Sequence, residues 1–195
     1  MEAYKISVKL FVANDVFGHS EFVPVFHRWI QEHVLDDHLL IDVADYAHVP
    51  DGPGTLLVTH EANIHMDREA GRLGLLYFRK TPIAGSFAER LRGVLASILK
   101  VASLLEQEPA VAGKLKFKTD ELLIRLHDRL IAPNTPATLD AVRGDVQTVA
   151  DELYGASHAK ITSYGKPDQL FGVLVKSTSS AGVSDLAKKL ALVPA

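Results

Sequence analysis

The densest run of side chains able to do chemistry is His60-Glu61-Ala62-Asn63-Ile64-His65-Met66-Asp67, which mixes imidazoles, carboxylates and an amide. Nitrogen and oxygen donors of these types hold a divalent cation when three or four converge, and the same groups exchange protons in acid–base catalysis. The metal reading makes His60 and His65 the imidazole ligands and draws a carboxylate from Glu61 or Asp67. Against it stands the spacing. In His-Glu-x-x-His one helix turn brings both rings to one face, whereas these histidines are five apart and follow a strand-like run. The competing reading is a solvated hairpin connection whose histidines bond to backbone.

Arginine supplies a second chemistry. Arg72 and Arg79 bracket the next apolar run, with Arg68 and Lys80 nearby, and a guanidinium fork can hold a carboxylate or phosphate by paired hydrogen bonds. Balance against Glu61, Asp67 and Glu69 explains the same residues without a ligand. Asn14 and Asp128 each continue the apolar parity of a strand, after Val8, Leu10 and Val12 and after Leu122, Ile124 and Leu126. A polar group there must find hydrogen bonds, so each either caps a loop or faces a polar pocket. His127, between Arg125 and Arg129, is expected to stay neutral near pH 7 because cations beside it disfavour its charged form. Asp51-Gly52-Pro53-Gly54 is a poor phosphate cradle and reads as a rigid turn. The nine histidines are otherwise scattered, with His19, His27, His33, His38 and His48 around the first helix and its loops.

The elements that must position these groups follow from hydrophobic period. Alternation predicts a strand over 5–13, with Ile6, Val8, Leu10 and Val12 on the buried side and Lys5, Ser7 and Lys9 on the other. Phe22, Val25, Phe26, Trp29 and Ile30 recur at helical spacing behind Ser20. Strands over 39–45 and 55–60 form a hairpin, and a polar connection over 61–72 leads to a strand over 73–79. Ser86-Phe87-Ala88-Glu89 is a capping box opening the longest helix, which ends near Pro109. A short strand over 115–117 and a longer one over 122–129 follow, the latter with Leu122, Ile124 and Leu126 alternating against Arg125, His127 and Arg129. Thr135-Pro136 then starts a helix that Gly155 stops. Strands over 158–164 and 170–176 flank the turn Gly165-Lys166-Pro167-Asp168, and a short helix over 184–192 closes the sequence.

Hairpins demand antiparallel pairing, so the expected fold is α+β, a two-layer sandwich with a largely antiparallel sheet covered by helices. The 195 residues are read as a single domain, 1–195. The order strand, helix, strand, strand recurs over 8–60 and 124–176, which is either an internal duplication of a β-α-β-β unit or a coincidence of common elements.

Composition removes whole classes of function. With 47% hydrophobic and 23% charged residues a packed core is expected. A net charge of −3 spread along the chain gives no basic face for nucleic acid. No stretch reaches a membrane span, and the start lacks a signal-peptide layout, so the expectation is a cytoplasmic protein with no membrane partner. The absence of cysteine excludes disulfides, thiolate nucleophiles and cysteine-ligated metals. No complete catalytic constellation is present. The function expected is a soluble ligand-binding or assembly protein that self-associates, with Asn14, Glu61, Asn63, Arg72, Arg79 and Asp128 as candidate ligand-binding residues. The alternative is an enzyme acting on a small anionic substrate, dependent on a divalent metal at His60 and His65.

Overall fold

Ile6, Val8, Leu10 and Val12 recur at every second position of the first strand, β1 (Ile6–Val12), and that period sends all four to one side of a sheet. A computed structural model describes residues 1–14, 16–49 and 52–191. Seven further strands join β1: β2 (Leu40–Asp45), β3 (Thr55–Thr59), β4 (Ala62–Asp67), β5 (Gly74–Arg79), β6 (Phe117–Leu126), β7 (Ala159–Tyr164) and β8 (Phe171–Ser177). They form one antiparallel sheet in the order β2-β3-β4-β5-β1-β6-β8-β7. Four helices, α1 (Val23–Glu32), α2 (Phe87–Gln107), α3 (Pro136–Tyr154) and α4 (Val183–Ala191), complete an α+β architecture of two layers.

All four helices contribute to one apolar cluster with a single parity of the strands: Ile6, Val8 and Leu10 of β1, Ile64 and Met66 of β4, Leu75 and Tyr77 of β5, Ile124 of β6 and Val173 of β8. Phe11, Leu56 and Leu123 have the opposite parity and are also buried, yet they lie outside that cluster. The helices therefore cover one face, and the other is closed over β1 by side chains alone.

Local chemistry sets the helix ends. The hydroxyl of Ser86 accepts from the Glu89 N–H while the Glu89 carboxylate accepts from the Ser86 N–H at 2.6 Å, so two otherwise orphaned donors are satisfied. Thr135 caps α3 with Pro136 in its first turn, and the chain leaves at Gly155 with φ near +91°. Losing one cap is a modest local effect: Ser86→Ala is expected to lower the unfolding free energy by about 1 kcal/mol in urea denaturation, with the slope unchanged.

Two expectations are corrected. The segment 61–72 is not a polar loop. It holds β4, which pairs on both sides, and then a single 3-10 turn, Glu69–Gly71. Its core-facing positions are Ala62, Ile64 and Met66, a strand period that the neighbouring His, Asn and Asp side chains conceal. In place of the two strands expected over 115–117 and 122–129 there is one, β6, which takes only Phe117 of the first, fills the gap between them and ends at Leu126. As for the repeated element order, β8 lies directly beside β6, whereas β5 and β4 separate β1 from β3. Pro50 and Asp51 of the expected loop, Asp15 of the first turn and Leu192 at the end of the last helix lie outside the described residues.

Candidate functional site

Ser7, Lys9 and Phe11 alternate with the core residues of β1 and so point away from the helices. The side of β1 away from the helices is buried as well, Ser7 and Lys9 each being 1% exposed. Register explains the burial. Lys9 lies between Leu76 of β5 and Leu123 of β6, and Ser7 between Phe78 and Arg125, so long side chains from both neighbours close over the central strand. Room for the Lys9 stem exists because position 74 is glycine: a Cβ there would stand 2.5 Å from Lys9 Cε.

The buried charges on this face are matched in pairs. The Lys9 ammonium meets the Asp67 carboxylate, which also accepts from the Glu69 N–H at 3.0 Å. Arg125 is bound to Glu69. Arg72 grips Glu121 with two hydrogen bonds of 3.0 and 2.8 Å and stacks its guanidinium 3.6 Å from the centre of the Phe11 ring. These contacts hold the Arg72 guanidinium above its usual range and the Glu121 carboxylate below its own, the hydrogen bonds between them being the largest cause of each shift.

Between this canopy and the Gly52-Pro53 segment lies a cavity of about 310 Å³, walled by His65, Leu76, Phe78 and His127 and bordered by Asp67 and Glu69. The Phe78 and His127 rings lie 4.3 Å apart at 33°. His127 Nε2 is 2.8 Å from Ser7 Oγ, which orients the imidazole from beneath. Burial, reinforced by the Arg125 charge, pushes the His127 ring down to about 4, so it is neutral at pH 7. His65 is also shifted down, chiefly by burial, although Asp67 and a hydrogen bond to the Pro53 backbone oppose the shift.

The low value of His127 has a consequence for stability. The unfolded chain takes up the proton near 6.5 and the folded chain only near 4, so between those values the unfolded state binds more protons. Stability is therefore lost progressively as pH falls from about 6.5 to about 4, by roughly 2–3 kcal/mol. His127→Phe is expected to flatten that part of the pH profile in urea unfolding. An unchanged profile would show that His127 is not the group responsible.

A larger apolar cavity, about 440 Å³, lies between α2 and α4 beside Ile83, Gly93, Ala96 and Leu190. Its bordering charges are already engaged, Arg92 with Glu152 and Glu89 with Ser86, and among the described residues no further polar groups converge there. The open-face cavity, with two imidazoles on its wall, is the better candidate.

Few of the residues expected to act together are brought together. His60 is exposed in the turn between β3 and β4, and Glu61 beside it accepts from the Leu39 N–H at 2.9 Å. Both lie at one end of β4, while Asp67 closes the other and His65 stands on the open face between them. The expected metal set is thus dispersed along a strand, and among the described residues no three His, Asp or Glu side chains gather as a metal requires. Arg72 and Arg79 stand at opposite ends of β5; Arg79 donates to the Thr81 carbonyl at 3.0 Å. Asn63 is on the open face opposite Val58 and Phe78, with its Oδ1 buried and without a hydrogen-bond partner. Asn14 is exposed beyond β1, and Asp128 caps the start of the chain by accepting from the Tyr4 and Lys5 N–H groups at 2.9 and 3.0 Å. Because β1 and β6 are antiparallel, these two residues lie at opposite ends of the sheet and do not share a site.

Sequence reasoning did not bring forward Ser7, Lys9 or Phe78 as site residues, named Glu69 only as a balancing charge, and weighed His127 without giving it a partner. Parity on β1 and β6 was the available signal, but parity says only that a side chain faces away from the core, not that its strand lies at the centre of the sheet. No family model, no curated protein and no solved structure is similar to the chain.

Proposed function

We propose that the chain is a ligand-binding protein whose working surface is the helix-free face of its sheet, at the cavity beside His65 and His127. The observation that carries this reading is the character of the wall: an aromatic pair, Phe78 and His127, next to a second largely buried imidazole, in a cavity of about 310 Å³. Apolar walls with a few convergent polar groups are the usual composition of small-molecule sites. Reactive chemistry is less well supported, because Ser7, the hydroxyl nearest His127, lies buried beneath the ring.

Ligand-observed NMR with a fragment library tests the reading, using the wild-type chain and Leu76→Trp, which fills the cavity from its β5 wall. Fragments that bind the wild type and are lost in the variant are the expected result. Equal binding to both chains, or no binding to either, would remove the proposal.

A second observation favours self-association. β2 is an edge strand with one row of backbone groups unpaired by the sheet, and Leu39 and Ile41 on and beside it are 64% and 55% exposed. Two copies joined edge to edge at β2 would bury both residues in an isologous contact. Light scattering after size-exclusion chromatography decides this, and a monomer at every concentration would dismiss it.

A further inference from the structure

We infer that the open-face cavity takes a flat aromatic carboxylate, its ring against Phe78 and His127 and its negative charge beside the Lys5 ammonium. The inference rests on the binding reading above and adds the ligand class. Size and shape come from the wall. A cavity of about 150 Å³ holds benzene, and the space here is about 310 Å³, room for a fused bicycle with a carboxyl group. The Phe78 and His127 rings, 4.3 Å apart, offer an extended aromatic surface flanked by Leu76.

Charge comes from the β1–β6 register. The His127 N–H donates to the Lys5 carbonyl at 2.9 Å, which carries the pairing of the two strands one step past Ile6 and Leu126 and sets Lys5 opposite His127. Lys5 has the parity of Ser7 and Lys9, so it stands on the helix-free side, at the rim of the cavity. Unlike Lys9 it is exposed, and among the described residues no carboxylate pairs with its ammonium. Asp128, the residue after His127, turns its carboxylate to the Tyr4 and Lys5 backbone N–H groups. Neighbouring cations are engaged: Lys9 with Asp67, Arg125 with Glu69, Lys80 with the Thr59 carbonyl, and Arg129 with the Asp168 carbonyl at 2.8 Å.

The sign of the ligand follows. An anion held at Lys5 meets a cation that has no other counterion. Of the carboxylates bordering the cavity, Asp67 pairs with Gly74, four positions along β5 from Phe78 and so about 13 Å away at strand rise, and Glu69 is held by Arg125. A cationic ring would bring like charge to Lys5 and would find both carboxylates already paired. One ammonium balances one carboxylate, whereas a phosphate dianion would bring a second charge without a partner. No covalent step is involved.

The test uses the full chain near pH 7 in low salt with four probes: 2-naphthoate, its neutral amide 2-naphthamide, 2-naphthylmethylammonium, and cyclohexanecarboxylate, which keeps the charge without a flat ring. Binding is followed by the imidazole proton resonances of His65 and His127. The carboxylate 2-naphthoate is expected to shift both resonances and to bind about 2- to 5-fold more tightly than 2-naphthamide, the modest factor of a solvent-screened ion pair. The cation and the saturated acid are expected to bind more weakly than 2-naphthoate. In about 1 M salt the preference for the carboxylate over the amide should vanish. Lys5→Gln should bring the carboxylate down to the level of the amide and leave the amide unchanged, whereas Lys5→Arg, which keeps the charge, should preserve the preference. An amide, cation or saturated acid that binds the wild type as tightly as 2-naphthoate, or a preference that survives Lys5→Gln, overturns the ligand class while leaving the cavity a binding site. If no probe moves either resonance but library fragments are lost in Leu76→Trp, the class assigned here is wrong and the binding reading stands. If neither occurs, both fall.

Discussion

Lys9→Met lowers the unfolding free energy by about 3–5 kcal/mol in urea denaturation, the range for removing one partner of a buried ion pair. Lys9 is 1% exposed on the central strand, and its ammonium is the counterion of Asp67, whose side chain is 7% exposed. Methionine reproduces the stem and leaves the carboxylate buried and uncompensated; the penalty is desolvated charge, not lost packing. That cause separates from a cavity effect by a second change. Lys9→Met with Asp67→Asn keeps a side-chain oxygen for the Glu69 N–H and removes the charge, so more than half of the lost stability should return. A single variant within the error of wild type, or a double variant no better than the single one, would refute the account.

Gly54→Ala is expected to cost about 4 kcal/mol, and to abolish folding if the stability reserve is smaller. Gly54 has φ near +67°, a region that side chains with a Cβ enter at a cost, and the Cβ itself would stand 1.9 Å from the Met66 carbonyl oxygen. That oxygen belongs to β4, held in the sheet on both sides, so it cannot retreat without opening the ladder. The close approach also brings Gly52 and Pro53 over the open face, where they line the cavity. A folded Gly54→Ala chain should therefore show perturbed His65 and His127 resonances as well as lower stability. Thermal unfolding with NMR of the two rings measures both, and a variant as stable as wild type with unmoved rings would contradict the geometry.

The helices and most strands were legible because their signals are local. The Ser86-Phe87-Ala88-Glu89 capping box, the Thr135-Pro136 start and the Gly155 stop each act within a turn of the residues that make them. Strand β4 was hidden for an equally local reason. Asn63, His65 and Asp67 face the cavity side, and their polarity masks the Ala62, Ile64 and Met66 row that packs on the helices. A strand buried on one face beside a polar site gives alternation of small and polar residues, which composition alone reads as loop.

The site was legible only in fragments. His65 drew attention by its residue type and His127 by its charged neighbours, yet they are 62 positions apart in the sequence. Nothing in either segment states that β5 and β1 lie between them. Pairing of β4 with β5, β5 with β1 and β1 with β6 carries Phe78 to His127 and Ser7 beneath it.

Taken by itself, the order of residues determined where α2 and α3 begin and end, which parity of each recognised strand is apolar, the antiparallel α+β class and the lack of any cysteine chemistry, because these depend on neighbours within a few positions. Tertiary structure alone decided that β1 is central and enclosed on both faces, that Lys9 and Asp67 neutralise one another, and that His65 and His127 share a cavity while His60 does not. Such outcomes depend on strand order and register, which are settled by the packing of the whole sheet against its helices and leave no mark on any one segment.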